Sequence, residues 1–464
     1  MKKILFALVA TVLLFSDIQA QNSNVIFGST RIPQINNLNP AFYPSRNTFY
    51  LSLPGVELKF HGPLSFNDIF QKDDEKNITY ININTIADNI TGDNNLFLNA
   101  EVDVIGMGLN IGNTFVTLSA KTKASAHLGI PSGLIAFFQD GNYGHRGYGN
   151  ELYLVDGNLF KGQVYNEFAL GVGHKFKNLT VGMRLKLLNG VADLRTDDTR
   201  MTLYTADDMS LLSADMYYRI TATGISKFQN NDITYNSLLE SDNWGYSLDL
   251  GAKYDWSIFE FSASILDIGK GIKWKDDVKY YMLNKPVNVT FDGVDFTRLV
   301  INGQDTAIMH TFDGVLDSLK NYDTIDGNPY WTRIPTKFNL GATVHLGSMV
   351  RAGLLFHGEI EDNISYFDAS GKSSDITKLF RNTTTLMAGV NLYDWIEVMA
   401  SMAVVKDGRE IDWFNPGLGV NLSLFKSFQM YLLLNYISDI RLVEAKSFNL
   451  QFGLNLLFGK GHMQ

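Results

Sequence analysis

The sequence contains no cysteine. Disulfides, thiolate metal sites and cysteine nucleophiles are excluded on that ground. Long apolar runs are missing too: beyond residue 20 none approaches the ~18 residues of a membrane-spanning helix. Positive charge is in short supply. Lysine and arginine number 39 against 48 aspartates and glutamates, and the net charge of −9 argues against a nucleic-acid partner. There is no HExxH and no GxSxG. A GKS triplet at 371–373 lacks the earlier glycine of a phosphate-binding loop, because Tyr366 stands there. The histidines are scattered without metal-ligand spacing. Acidic pairs such as Asp197-Asp198 and Asp276-Asp277 lack the spacing of a calcium loop. No catalytic residue, cofactor or metal is assigned, and the chain is not read as an enzyme.

What is present begins with a leader, MKKILFALVATVLLFSDIQA. Lys2 and Lys3 form a positive start, and Ile4 to Phe15 is an apolar core of 12 residues. Ala20 is a suitable cleavage residue before Gln21. Residues 1–20 read as a signal peptide for Sec-dependent export, too short and wrongly flanked for a spanning helix.

The strongest pattern is a period of two. From Val164 to Phe176, Phe168, Leu170, Val172 and Phe176 alternate with Glu167, Gly171, Gly173 and Lys175. After Lys177-Asn178 the alternation restarts: Leu179, Val181, Met183, Leu185 and Leu187 against Thr180, Gly182, Arg184 and Lys186. Successive side chains leave a strand on opposite faces, so each run is a strand and the pair a hairpin. Each run is about a dozen residues, longer than the ~5–6 of a typical strand. It is long enough for a tilted membrane strand, which needs roughly 9–11 residues.

Fourteen such strands are predicted, over 47–60, 96–110, 114–127, 163–176, 179–192, 244–254, 258–268, 334–346, 349–360, 382–393, 396–406, 412–424, 428–439 and 447–458. Short turns alternate with longer loops, the longest being 193–243 and 269–333. That sorting is the signature of an outer-membrane barrel, with its short turns in the periplasm. The fold class is therefore all-β: one antiparallel transmembrane barrel of about fourteen strands over 47–464, with long extracellular loops. Region 193–243 holds further strand-like pieces, which either extend the barrel above the membrane or add a pair. Trp244 and Trp413 open strands at the loop side, Trp256 and Trp395 sit at short turns, and Trp331 just precedes a strand. This matches interfacial aromatic girdles. Trp274 alone is placed deep in a long loop.

The face opposite the apolar stripe is polar and mixed in sign, including Glu101, Asp103, Lys121, Lys123, Glu167, Arg184, Lys186, Asp249 and Glu260. Neighbouring strands are expected to pair Glu167 with Arg184 or Lys186 inside the lumen. Glycines recur on this face, at Gly182, Gly251, Gly341 and Gly389 among others. Glycine in a strand marks close approach of another chain segment or a bend. Residues 21–46 show no period, carry Pro33, Pro40 and Pro44, and yet hold Ile32, Ile35, Leu38, Phe42 and Tyr43. A solvated linker has little use for such side chains, so the segment is placed inside the barrel as a hatch or plug. A second apolar cluster, Leu134, Ile135, Phe137 and Phe138, reads as a short helix in a long loop. It either caps the barrel mouth, touches an apolar ligand, or packs within its loop.

Four stretches together resemble a family: NLNPAFYP (37–44), PSGLIAFFQDGN (131–142), YNEFALGVGHKF (165–176) and TVGMRLKLLNGVAD (180–193). They look like an outer-membrane barrel family of Bacteroidota-type bacteria known only as a domain of unknown function. More distantly, Asn39-Pro40-Ala41 ahead of fourteen strands is similar to FadL-type transporters of hydrophobic compounds, in which an N-terminal hatch lies in the barrel. The type IX secretion barrels PorV and PorP/SprF share parts of the pattern. The resemblance implies an outer-membrane protein acting as a passive, FadL-like conduit or binder for a small apolar molecule. Asn39, Pro40 and Ala41 would then belong to the hatch. The alternative is a structural or partner-binding barrel, a surface or secretion-associated component. The partners so implied are outer-membrane lipid, a small apolar ligand, and other outer-membrane or secretion proteins. One departure is the end of the chain, where Phe458 is followed by GKGHMQ rather than closing on an aromatic residue.

Overall fold

A computed structural model describes residues 24–43, 47–73, 78–82, 85–86, 95–131, 133, 135, 151–205, 212–226, 241–289, 298–300, 322–367, 373–407, 410–425, 427–435 and 444–459. The leader and its cleavage position lie outside the described residues, as do Leu134, Phe137 and Phe138.

The chain forms a closed antiparallel barrel of fourteen strands. In order these are β1 (Phe49–Ser52, resuming as Gly55–His61), β2 (Asn95–Ile111), β3 (Thr114–Gly129), β4 (Phe160–Phe176) and β5 (Leu179–Thr205). Then come β6 (Asn243–Trp256), β7 (Phe259–Trp274), β8 (Thr336–Leu346), β9 (Val350–Phe367) and β10 (Ser373–Tyr393). The last four are β11 (Ile396–Asp407), β12 (Glu410–Leu424), β13 (Phe428–Asn435) and β14 (Ser447–Phe458). Each pairs with the next, and β14 returns to β1 through Phe49↔Phe458 and Val56↔Phe452. Closure leaves no unpaired edge in the wall, which the interior of a membrane requires. Each strand predicted from the period of two corresponds to one of these fourteen.

The two faces of the wall differ as the alternation predicts. Leu170, Val172, Met183, Leu185 and Leu187 are exposed on the outside, whereas Glu167, Arg184 and Lys186 are buried inside. The hairpin between β4 and β5 turns at Lys177, whose φ is 52°, and Gly112 takes φ 60° between β2 and β3. Positive φ suits the tight turns whose twist matches that of the strands. Trp244, Trp256, Trp331 and Trp395 are exposed near strand ends.

Above the long-loop rim the sheet continues. β5 runs for 27 residues. Its upper part pairs with Glu151–Asp156 on one side and Leu212–Thr223 on the other. Val278–Val289 and Asp323–Asp326 follow in turn. Region 193–243 thus extends the sheet beyond the barrel rather than adding a pair to the wall. Loops 61–95 and 269–333 meet in a small sheet of Phe70–Asp73, Ile78–Asn82 and Arg298–Val300.

Trp274 departs from its expected place in a loop. It ends β7 and is 0% exposed. The period of two breaks before it because Asp267 (φ 61°) and Gly271 (φ 77°) adopt positive φ and the register against β6 shifts. The strand continues through the irregularity, and Trp274 turns into the lumen against Tyr165, Leu188, Ile272 and Ile334.

Candidate functional site

The short-turn half of the lumen is filled by residues 24–43. Two 3-10 turns, Val25–Gly28 and Pro33–Asn37, fold this segment. Its Val25, Ile26, Phe27, Ile32, Ile35, Leu38 and Phe42 form one buried cluster with Leu355, Met387, Met399, Tyr431 and Leu433 of the wall. Tyr43 stacks on Phe115 with ring centroids 4.4 Å apart. Burial of this many apolar side chains is the driving force for docking the segment.

An irregular buried segment also leaves backbone groups that need partners. Inward-facing polar residues supply them. Leu38 O accepts from Ser264 Oγ at 2.7 Å and from Asn339 Nδ2 at 2.8 Å. Val25 N donates to Asn435 Oδ1 at 2.8 Å, and Arg31 O accepts from Gln429 Nε2 at 3.1 Å. Asn24 Nδ2 donates to Thr385 Oγ1 at 2.8 Å. Gln34 and Asn455 exchange amide hydrogen bonds at 2.8 and 3.1 Å. Arg351 donates to Ser29 O at 2.8 Å, and its guanidinium lies 5.0 Å from the Phe27 ring centroid.

Glu397 is distinctive. It is buried and accepts from Ser29 Oγ (2.7 Å), Thr30 N (2.9 Å), Thr30 Oγ1 (3.3 Å) and Asn421 Nδ2 (3.0 Å). Three of those donors belong to the inner segment. Beside it, Arg31 reaches the turn carbonyls of Tyr393 (3.1 Å) and Asp394 (2.9 Å).

Asn39, Pro40 and Ala41 lie against β5, β6 and β7. Asn39 Nδ2 donates to Ala252 O and Ala263 O, both at 3.1 Å, while its Oδ1 accepts from Ala41 N at 2.8 Å. The Pro40 carbonyl occupies the space a Cβ would need at Gly182, and the Gly28 carbonyl does so at Gly389. At both positions backbone meets backbone, and only glycine leaves room.

Above the segment lies a network of alternating charge. Lys121 bonds Glu101 (2.5 Å) and Asp103 (2.9 Å), and Lys123 bonds Glu167 (2.9 Å) and Glu101 (3.5 Å). Lys186 bonds Asp267 (2.6 Å) and Asp249 (2.9 Å), with Glu167 farther away at 3.9 Å. Arg184 does not meet Glu167. It pairs with Asp249 at 3.5 Å and donates to the carbonyl and side chain of Asn36. The expected partner of Glu167 is thus joined by a nearer one on β3. Register explains why: Lys121 stands directly opposite Glu167, and Lys123 reaches it diagonally.

At the long-loop end a cavity of about 160 Å³ opens in the lumen. His61, Phe97, His127 and Lys161 lie in one register row across β1–β4 and line it. Phe97 stacks on His127 at 4.6 Å and on His61 at 6.4 Å. Arg333, Ile334 and Pro335 face them from the chain entering β8. Beside the cavity, Arg195 forks onto Asp193 at 2.7 and 2.8 Å, and Tyr330 donates to the same carboxylate at 2.6 Å. Burial, reinforced by the Asp193 charge, pushes the Tyr330 phenol up, so it remains a donor at neutral pH.

Residues 40–435 match the model of a family described only as being of unknown function, DUF5723. The chain belongs to the DUF5723 family. No curated protein matches it. Among solved structures, the Pseudomonas putida toluene transporter TodX is similar at 10% identity and a TM-score of 0.41, covering 95% of this chain and 93% of that one. A Pseudomonas aeruginosa FadL homologue is similar at 10% identity and a TM-score of 0.44, covering 96% and 99%. The monoaromatic hydrocarbon channel CymD gives 8% identity and a TM-score of 0.44, covering 95% and 98%.

In this DUF5723 barrel most of the expected loop cluster lies outside the described residues. Of its four members only Ile135 is described, half-buried beside Pro131. Sequence reasoning overlooked the inward asparagines and glutamines that hold residues 24–43. Their signal was present: Asn339, Gln429, Asn435 and Asn455 all fall on the polar inner face of their strands. Uncharged hydrogen-bonding groups there suit a backbone partner better than an open aqueous channel.

Proposed function

We propose that the barrel is a gated outer-membrane conduit or binder for a small molecule, with residues 24–43 as the hatch on the periplasmic side. The observation that carries this reading is the layering of the lumen. A segment whose described contacts with the wall are side-chain hydrogen bonds and close packing lies beneath a cavity that opens at the opposite end. A permanent plug would gain nothing from a cavity above it, whereas a conduit needs both.

A cargo with a compact apolar body is favoured by the shelf of Tyr165, Leu188, Ile272, Trp274 and Ile334, two of whose members, Tyr165 and Ile334, also line the cavity. The outward apolar stripe and aromatic girdle support an outer-membrane location, reached in this reading by Sec-dependent export.

The absence of native cysteine makes the test clean. A disulfide introduced by N24C/T385C, at side chains now 2.8 Å apart, would pin the hatch. Ion current in planar bilayers and solute release from proteoliposomes should fall on oxidation and return on reduction. Equal flux in the locked and unlocked forms would remove the hatch from the mechanism.

A partner-binding role has one observation in its favour: the sheet beyond the rim, whose Asp323–Asp326 strand exposes Ile325 beside an exposed Tyr322. Replacing Val278–Asp326 with a short turn would then cost a co-purifying partner and leave flux unchanged.

A further inference from the structure

We infer that a waist of paired charges between two stacked cavities is the specificity filter of the lumen, passing small solutes that carry polar groups and holding back bare hydrocarbons. The inference rests on the conduit reading and assigns the residues that select the cargo. Beneath the cavity of about 160 Å³ lies a second, of about 80 Å³, whose lining includes Ile26, Gln34, Asn37 and Leu38 of the hatch. Among the described residues the two cavities share only Glu57, Lys59, Glu101, Lys123 and Lys337. Every side chain at their boundary is therefore charged.

The order along the strands places these residues between the chambers. On β3, His127 and Ser125 line the upper cavity, Lys123 lines both, and Lys121 lines the lower one. Pro335, Lys337 and Asn339 repeat that order where the chain enters β8. Glu57 and Lys59 come from β1 and Glu101 from β2. In the closed ring β8 stands across the lumen from β1, so Lys337 bounds the waist from the far wall.

Each charge of the waist has a partner of opposite sign. Glu57 lies 3.2 Å from Lys59. Lys123 lies 2.9 Å from Glu167 and 3.5 Å from Glu101, and Lys337 lies 3.8 Å from Asp267. Both signs are present, and the filter needs no excess of either. Parting such a pair inside the lumen leaves a charge without its partner, which is costly unless the intruder replaces the lost contacts. A hydroxyl, an amide, a carboxylate or an ammonium makes that replacement, whereas a hydrocarbon does not. Tyr165 and Ile334 in the upper cavity still accommodate an apolar body. A cargo with both parts passes the waist, and a hydrocarbon stops above it.

Single thiols in the full-length barrel test this. Asn99→Cys places a thiol in the upper cavity and Gln451→Cys one in the lower. Each variant, in detergent micelles, is treated with an anionic, a cationic and an apolar methanethiosulfonate: the sulfonatoethyl, trimethylammonioethyl and benzyl reagents. All three should modify N99C. Scaled to its rate there, the benzyl reagent should reach Q451C at least roughly tenfold more slowly than the charged ones, the penalty for contacts left unreplaced. Adding E101A/K123A, which leaves the hatch untouched, should remove that delay. Adding E101Q should raise the anionic-to-cationic rate ratio at Q451C roughly tenfold at low salt, K123Q should lower it by a similar factor, and E101Q/K123Q should restore it. Heat-modifiable migration of each variant verifies folding. Benzyl labelling of Q451C without delay, or charge ratios that do not move in opposite directions, overturns the filter. Failure of both thiols to react overturns it too, because the upper cavity would then admit no solute to select. The N24C/T385C flux experiment stands apart from these rates, so a gated conduit without a filter and a filter above a fixed plug give different results.

Discussion

The two halves of the lumen are filled differently. The short-turn half is closed by residues 24–43, held by apolar contacts, by neutral hydrogen bonds to asparagine, glutamine and serine, and by a few charged anchors at Glu397, Arg351 and Arg184. The long-loop half is bounded by the wall's own side chains, linked through lysine–carboxylate pairs and one aromatic cluster. Ion pairs tie strand to neighbouring strand and so stiffen the barrel. Neutral hydrogen bonds to a docked backbone net only about 1 kcal/mol each. The proposed gating, with one end opening and the other keeping its shape, would gain from this division.

The contrast can be broken most forcefully at Gly182. In Gly182→Leu the new side chain would occupy the place of the Pro40 carbonyl and the Ala41 nitrogen. The hatch should be displaced and the barrel should conduct persistently in planar bilayers. The outer wall, whose lipid face is untouched, should keep its resistance to SDS at room temperature. A silent, normally folded variant would show that Pro40 has somewhere else to go.

Trp274→Ala acts on the other half. Removing a fully buried tryptophan costs ~3–5 kcal/mol in comparable cores, and its Nε1 hydrogen bond to Thr332 at 2.9 Å goes too. Urea unfolding in micelles should register that loss, with no rise in current. A conducting W274A would mean that the two halves are mechanically coupled.

Glu397→Gln is gentler. The carboxamide keeps one acceptor but turns an amino group toward donors from Ser29 or Thr30. Hydrogen bonds to a charged acceptor are worth about 1.5–3 kcal/mol, so replacing one should raise the open fraction roughly tenfold or more. Brief current openings and faster proteolysis near Thr30 would measure it. An unchanged opening rate would leave Arg31 and the apolar cluster as the hold on the hatch.

The smallest effect is expected on the sheet beyond the rim. Lys279 and Asp326 form an exposed pair at 2.5 Å. Solvent screens such pairs, and Lys279→Gln should leave both melting and current unchanged.

The outward half of the wall was readable residue by residue. Leu179 to Leu187 announces its lipid face because a strand exposes every second side chain to one uniform solvent. The inward half was readable only as polar. Which carboxylate meets which lysine depends on register between strands, and Glu167 illustrates this: Lys123 approaches it from β3 more closely than Lys186 does from β5. Trp274 was misplaced because positive φ at Asp267 and Gly271 breaks the alternation that sequence reading relies on. Asn39-Pro40-Ala41 stood out by composition, but its seats on Gly182 and Gly251 bring together residues far apart in the chain.

By itself, then, the sequence determined the number of staves, their lipid face and the sorting of short turns from long loops. Each of these is a local consequence of side-chain alternation and turn chemistry. Only the tertiary structure decided how the lumen is filled and which side chains hold the inner segment. Closing the barrel sets β1 beside β14 and encloses residues 24–43 within a ring of distant strands. The partners of Glu397, Arg184 and Arg351 follow from that closure, through contacts that no local period encodes.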